Sequence, residues 1–548
     1  MILNHATLDQ AGDYDVAIVG GGTAGLIVAN DLSGKGLKVV VLEGGGLKRQ
    51  PRSQDLYGGE VVEPDIHPEL TSYRVRAVGG TSRIWGGRVI PFDPIDFEER
   101  AWVPGSGWPF GFETLRPYYE RAMQALEAGR YAYSPETALP GGRRELAPGI
   151  DGPHLTTTIE RFSKPTNVWR RHGRALTQAP DVHLVLNATV TAMRLRPDAR
   201  TVSHLEVRGP DGTERRVRAR ATVLALGALE TARLLLASND VRTAGIGNEH
   251  DHVGRNYMSH LCTTAGTLTF AGRGTDIAYD YERDADGIYV RRRLWLNEEA
   301  QRTFGLLNTT FRTHLPDAGN PDHGNAILSA MFLFKSFVLI EYARKFSERR
   351  ADAGSYLRHC ANILRQPRRI ARFGGNWVTG RILADRKIPS VVLGSDDNRY
   401  VLEFHAEQAP NPDSRVTLSD RRDRLGMPQL KVDWRLSALD IDSIKRSYHV
   451  LASELSRTGT GRLDYDEEEL VDRTRRHGLV GGHQIGTTRM ADDPRRGVVD
   501  RDCRVHGTSD LYVASASVFP SSGQANPTHT IAALALRLSE RLTQDLRR

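Results

Sequence analysis

The pattern of apolar and polar positions changes period at its clearest point near the start of the chain. The apolar run Val16-Ala17-Ile18-Val19 leads into Gly20-Gly21-Gly22-Thr23-Ala24-Gly25. Apolar residues then recur at helical spacing (Leu26, Ile27, Ala29, Leu32) before a strand-like run, Lys38-Val39-Val40-Val41-Leu42-Glu43. This order predicts strand, tight turn, helix, strand. Farther along, the spacing of Leu115, Tyr118, Tyr119, Ala122, Met123 and Leu126 predicts an amphipathic helix over 113–127. Residues 182–190 read as one strand, and Asp211-Gly212 as the hairpin turn between strands over 203–209 and 214–219. Residues 221–228 open a second strand-to-helix turn, with the helix running on through Leu236.

From about 265 to 475 the character changes. Short strands (288–296, 401–407) mix with a helical section over 325–372. There Ile327, Met331, Phe334, Val338 and Tyr342 form a stripe, with Phe332, Leu333, Phe337, Leu339 and Ile340 beside it. A basic stretch follows: Arg344, Lys345, Arg349, Arg350, Arg358, Arg365, Arg368, Arg369 and Arg372. Such helices can pack on the rest of the chain, meet a second copy, or lie on a membrane surface. The last quarter returns to glycine-rich turns, and at its end Asn526 is suited to cap a final helix with Pro527 as the first helical residue.

The first unit carries chemistry. In Gly20-x-Gly22-x-x-Gly25 the first glycine permits the turn, the second admits a pyrophosphate to the backbone, and the third lets helix pack on strand. The helix N-terminus favours the diphosphate's charge. Glu43, ending the second strand, is placed to accept from a ribose diol, which argues against a 2′-phosphate but leaves FAD and NAD both open. A second run, Gly79-Gly80-Thr81-Ser82-Arg83-Ile84-Trp85-Gly86-Gly87-Arg88, predicts backbone passing close to a flat or bulky group.

Length and charge narrow the classes. A chain of 548 residues predicts about two to four domains or interleaved ones. The balance of 74 basic and 67 acidic residues is mild, and no dense lysine tract or nucleic-acid module is present, so no nucleic-acid partner is expected. The three cysteines lie far apart with no CxxC, so neither a metal site nor a disulfide framework is indicated. The opening residues Met1 to Ala6 lack a secretory pattern, and no apolar run reaches about 18 residues, so a cytoplasmic protein without a spanning helix is expected.

Taken together, several separated motifs resemble the glucose–methanol–choline (GMC) oxidoreductases. They are Gly20 to Gly25 with Glu43; Gly79 to Arg88; Gly107-Trp108-Pro109 with Tyr118-Tyr119; Leu224 to Leu236; Asp251-His252-Val253-Gly254-Arg255-Asn256 ahead of His260; Ser414-Arg415-Val416; His483 to Met490; and Asn526 to Arg537. They occur in the family's order, and the second is most similar to the bacterial, sugar-oxidising side that includes pyranose oxidase. The resemblance implies FAD and an α/β Rossmann-like FAD domain that is discontinuous (1–100, 180–262, 482–548). An inserted α+β substrate domain (101–179, 263–481) would accompany it. It places Gly20, Gly22, Thr23, Ala24, Gly25, Glu43, Gly80, Thr81, Ser82, Trp85, Gly86, Gly87, Val190, Gly227, Ala516, Asn526, Pro527 and Thr528 at the cofactor. Some relatives attach the flavin through a histidine in the second glycine run. None stands there here, so noncovalent FAD is expected.

The resemblance also implies a catalytic base, His483, with Asn526 as its partner. His529, Glu407 and Gln408 are candidate substrate contacts, the carboxylate suiting a cationic amino-sugar. The implied reaction oxidises a CH–OH group of a sugar-like or glycosylated substrate to a carbonyl, with hydride passing to flavin N5 and then to oxygen or a quinone-type acceptor. An FAD-containing lyase of the same family and an NAD-dependent dehydrogenase are the alternatives.

Overall fold

A computed structural model describes residues 1–10, 13–164, 166–316, 318–334, 352–395 and 397–547. The predicted turn unit is present as strand β2 (Tyr14–Val19), helix α1 (Thr23–Leu32) and strand β3 (Val39–Leu42). Around it lies a parallel sheet of six strands. The others are β1 (Ile2–Asn4), β4 (Val182–Leu186), β5 (Ala219–Leu224) and β6 (Leu511–Val513), and the spatial order is β1-β4-β3-β2-β5-β6. β2 and β3 are buried almost throughout, as expected of strands covered on both faces. Helix α2 (Gly227–Ala237) follows β5, and helix α3 (Thr528–Leu546) packs beside α1 and the helix Phe112–Ala125.

A second, antiparallel sheet of eight strands faces the carboxyl ends of the parallel one. Its central strands are Leu261–Phe270, Arg399–Ala406, Thr309–His314, Tyr289–Leu296 and Leu155–Phe162. The hairpin at Asp211-Gly212 joins Val202–Arg208 to Glu214–Val217 as predicted.

The structure departs from the sequence reading at several points. Residues 182–190 are two strands in two sheets, because Asn187 takes a left-handed φ of 54° that breaks the run. Helix α3 begins at Thr528, with Pro527 rather than Asn526 at its cap, which leaves the Asn526 side chain free for another partner. In the helical section, Ile327 and Met331 are buried in Ala326–Leu333, but Phe334 is 60% exposed. Phe337, Val338, Leu339, Ile340, Tyr342, Arg344, Lys345, Arg349 and Arg350 lie outside the described residues. Among the described residues no helix is long and apolar enough to cross a membrane.

Candidate active site

The two glycine runs close on each other at the carboxyl ends of β2 and β3. Gly20 has φ +107°, and a Cβ there would meet the Ala225 carbonyl oxygen at 2.6 Å. A Cβ on Gly25 would lie 2.0 Å from the Gly20 carbonyl oxygen, so this glycine is fixed by packing and does not line the cavity. Gly22 differs: its nearest neighbour would be Ala225 O at 3.9 Å, so the space above it is open. No side chain caps α1, so its first amides face that space. The second run is tied to the first by a hydrogen bond from Gly79 N–H to Gly21 O at 2.7 Å. A Cβ on Gly80 would come within 3.0 Å of Gly22 Cα.

Glu43 stands just beyond β3 and is buried. Its Oε2 accepts from Gly21 N–H at 2.8 Å and its Oε1 from Gly45 N–H at 2.7 Å. Two backbone donors thus orient the carboxylate, and each oxygen keeps a lone pair for a diol.

These elements open into a cavity of about 1540 Å³. Ordinary ligand sites span roughly 300–1,000 Å³, so this one has room for a dinucleotide and a second molecule. Gly20, Gly22, Thr23, Ala24 and Glu43 line it, with Gly80, Thr81, Trp85 and Gly86 from the second run. Val190, Gly227, Ala516, Asn526, Pro527 and Thr528 complete that half. Ser82 and Gly87 do not line it. Ser82 Oγ instead accepts from Val168 N–H at 3.1 Å, bracing the loop from behind. The open Gly22 surface, the uncapped helix and the oriented acid fit the diphosphate and ribose of FAD.

The far half of the cavity meets the antiparallel sheet, and here three histidines converge. His483 Nε2 lies 3.0 Å from Asn526 Nδ2, and the amide N–H donates to it. The His260 ring meets His483 edge-on at 4.8 Å between centroids and stacks on His405 at 4.8 Å. His405 Nδ1 is 2.7 Å from the Gln524 carbonyl, and His260 Nε2 is 3.1 Å from the Ser522 carbonyl. A carbonyl only accepts, so each ring carries its proton on that nitrogen. The remaining nitrogens, His405 Nε2 and His260 Nδ1, therefore bear lone pairs. His260 Nδ1, His483 Nδ1 and Asn526 Oδ1 are buried without a protein partner.

Burial, then the neighbouring His260 and the guanidinium groups of Arg88 and Arg312, hold His483 well below the usual histidine range. Burial does the same to His405, and it brings His260 down to about 4. The three rings are therefore neutral near pH 7, the state a proton acceptor requires. They also form the one His/Cys/Asp/Glu grouping among the described residues with the makeup of a metal site, their ligand atoms lying within 4.8 Å of one another. Around them Glu160 forms an ion pair with Arg88 at 3.0 Å and accepts from Arg312 Nη1 at 3.0 Å, and Arg312 also pairs with Glu403.

Three candidate substrate contacts are corrected. Glu407 is fully buried outside the cavity, in a two-point ion pair with Arg100 at 2.6 and 2.8 Å, and accepts from Asn308 N–H at 3.0 Å. The strand ends at Ala406, so the alternation that carries Glu403 and His405 to the cavity wall stops one residue short of it. Gln408 is buried as well, accepting from Ser259 N–H and the Trp434 indole and donating to Arg435 O. His529 does not reach the cavity. It donates from Nε2 to Tyr119 O at 3.0 Å and sits against the Tyr119 ring, buried and pushed down to about 4.

Sequence reading passed over Arg88, Arg312, Glu160 and His405 as site residues. Alternation in residues 401–406 was the signal for His405, since Leu402, Phe404 and Ala406 face the core and the polar positions between them had to face something else.

Residues 410–535 match the family model of the GMC oxidoreductases, in its C-terminal part. Over its full length the chain is similar to paromamine 6′-oxidase of Streptomyces fradiae. That match is 26% identical and covers 98% of this chain and 93% of the relative. The fructose dehydrogenase large subunit of Gluconobacter japonicus is 24% identical, over 97% of this chain and 98% of the relative. The fold is shared with the solved pyridoxine 4-oxidase from Mesorbium loti. The TM-score is 0.55 at 16% identity, covering 96% of this chain and 99% of that one.

Proposed function

The chain is a GMC oxidoreductase, an FAD enzyme acting on CH–OH donors, and from that premise we propose that it oxidises a hydroxyl group of an amino-sugar or other glycosylated substrate with His483 as the base. The observation that carries this reading is the buried, neutral His483 paired to Asn526 at the cavity's far end, 3.0 Å apart. The relatives named as acting on paromamine and fructose support the sugar-like class.

The chain's own groups perform the following work. The open backbone at Gly22, the α1 amides and Glu43 hold the diphosphate and ribose. Bound FAD supplies the acceptor for the hydride that leaves the carbinol carbon. His483 takes the hydroxyl proton at Nε2, the lone pair that the Asn526 N–H occupies in the free site passing to the substrate hydroxyl, and the Asn526 amide then keeps the substrate oxygen beside it. His260 and His405, fixed by the 522–524 carbonyls, present lone pairs to the base's surroundings and hold its ring in place. Paired charges at the mouth, Arg473–Glu469 and Arg476–Asp472, each at 2.7 Å, offer polar contacts to a hydroxylated substrate. We assign the parallel-sheet segments (1–100, 180–262, 482–548) to the cofactor and the rest to the substrate side. FAD is held noncovalently in this account, since the run from Gly79 to Gly87 contains no histidine.

The test is anaerobic addition of sugars, amino-sugars and glycosides to the purified yellow protein. Bleaching of the flavin by an amino-sugar or glycoside is expected. Bleaching by none of the hydroxylated compounds, with turnover that leaves the flavin oxidised, would favour lyase chemistry instead. Acid precipitation should leave the yellow colour in the supernatant.

A further inference from the structure

The helix Ala353–Arg365 is built with its polarity reversed. Its inward face carries Ser355, His359 and Asn362, all buried. Two of these are held by hydrogen bonds: His359 Nδ1 with Ser329 Oγ at 3.0 Å, and Asn362 Nδ2 to Pro321 O at 2.8 Å. Its outward face carries Leu357 and Leu364, one above the other at a spacing of seven residues and 72% and 79% exposed, with Tyr356 beside them. An amphipathic helix normally turns such a stripe inward, so a stripe turned outward beside buried polar groups has the makeup of a contact surface. Two more exposed apolar residues, Ile382 at 61% and Leu383 at 72%, end the following helical stretch. That stretch begins with Pro367–Trp377, which buries no residue fully and leans Ile370 and Phe373 on a small core of its own.

Charge selects the partner. Between 353 and 384 the chain has six arginines (Arg358, Arg365, Arg368, Arg369, Arg372 and Arg381) and no aspartate or glutamate. Arg358 is paired to Asp322 at 2.7 Å, and the other five arginines would still set like charge against like in a second copy of this surface, a contact that association avoids. A bilayer carrying anionic headgroups meets both features at once, with leucines entering the headgroup boundary and arginines contacting phosphates. We propose that this helix pair docks the protein on an anionic membrane surface. The same small core seats Val391 and Leu393, which line the active-site cavity, so the second helix and the cavity wall share one core.

The experiment sediments the full-length, FAD-loaded protein with vesicles of phosphatidylcholine alone and with vesicles containing about one third phosphatidylglycerol, at low and high salt. Pelleting with the anionic vesicles at low salt is expected, falling at least about tenfold in high salt or with neutral vesicles. The double variant Leu357→Ser/Leu364→Ser alters only exposed positions. It should keep its flavin spectrum and its rate with a soluble acceptor while losing at least about tenfold in vesicle binding. No pelleting with anionic vesicles at low salt overturns the proposal, as does equal pelleting of the double variant or equal binding to neutral vesicles. Light scattering that shows a dimer in the wild type and a monomer in the double variant would assign the stripe to a second copy and overturn it as well.

Discussion

Replacing Glu407 by alanine separates a structural carboxylate from a substrate contact. Glu407 and Arg100 are both fully buried and joined at 2.6 and 2.8 Å. Removing one partner of such a pair typically costs about 3–5 kcal/mol, because the other charge stays buried alone. Here the neighbour Asp96 moderates the loss. Burial, then Asp93 and Glu407, push its carboxyl well above the usual range, so removing Glu407 takes away one of the charges that oppose a charged Asp96 beside Arg100. A cost near ~3 kcal/mol follows. With about 2.1 cal/mol/K of unfolding entropy per residue, a cooperative melt of the whole chain would shift by about 3 °C, and by more if the antiparallel sheet melts as its own unit. Glu407→Gln should fall between wild type and Glu407→Ala. Calorimetry of the flavin-loaded variants measures the shift, and steady-state kinetics of the surviving protein measures KM. Unchanged melting together with a KM raised about tenfold or more (~1.4 kcal/mol) would show that Glu407 touches substrate and would refute the reasoning.

Gly22→Ala and Gly25→Ala should fail in different ways. The first adds a methyl where the protein leaves 3.9 Å, so the chain should fold but bind FAD at least about tenfold more weakly, read by flavin titration. The second drives a Cβ to 2.0 Å from the Gly20 carbonyl, so soluble protein should be lost, and a stable flavin-bound Gly25→Ala variant would contradict the packing described. Acid should destabilise the enzyme well above the carboxylate range. His260 and His529 titrate at about 4 in the folded state, against about 6.5 unfolded. The unfolded chain therefore binds more protons between these values, and stability is lost as pH falls from about 6.5 to 4, by up to about 3 kcal/mol per histidine. Chemical denaturation across that range measures the slope, and His529→Phe should flatten it. A stability profile flat from pH 7 to 5 would show that these rings are not buried neutral.

The nucleotide half was legible because its signals are local. A change of period, glycines at fixed spacing and a terminal acid fall within one short unit, and each has a steric reason seen at Gly20 and Gly25. The substrate half was not, because its partners are distant in sequence. Arg100 and Glu407 are 307 residues apart, and a lone glutamate at a strand end looks the same whether it faces water or a buried guanidinium. His405 was hidden for a related reason. Its strand alternates as a surface strand would, and only the other sheet turns that polar face into a cavity wall. Residues 182–190 misled in the other direction, since apolar residues flank Asn187 on both sides and its left-handed turn divides them between two sheets.

The central claim is that His483 is the base, and anaerobic stopped-flow reduction of the flavin in His483→Ala tests it most directly. The variant should keep FAD and its spectrum, because the diphosphate and ribose cradle is built from Gly22, the α1 amides and Glu43 and not from His483. Its reduction rate at saturating substrate should fall about 10²–10⁴-fold, the usual cost of removing a general base. In the wild type the rate should hold as pH drops below 6.5, since burial keeps His483 neutral there. A His483→Ala variant with its flavin intact and reduced at close to the wild-type rate would contradict the assignment.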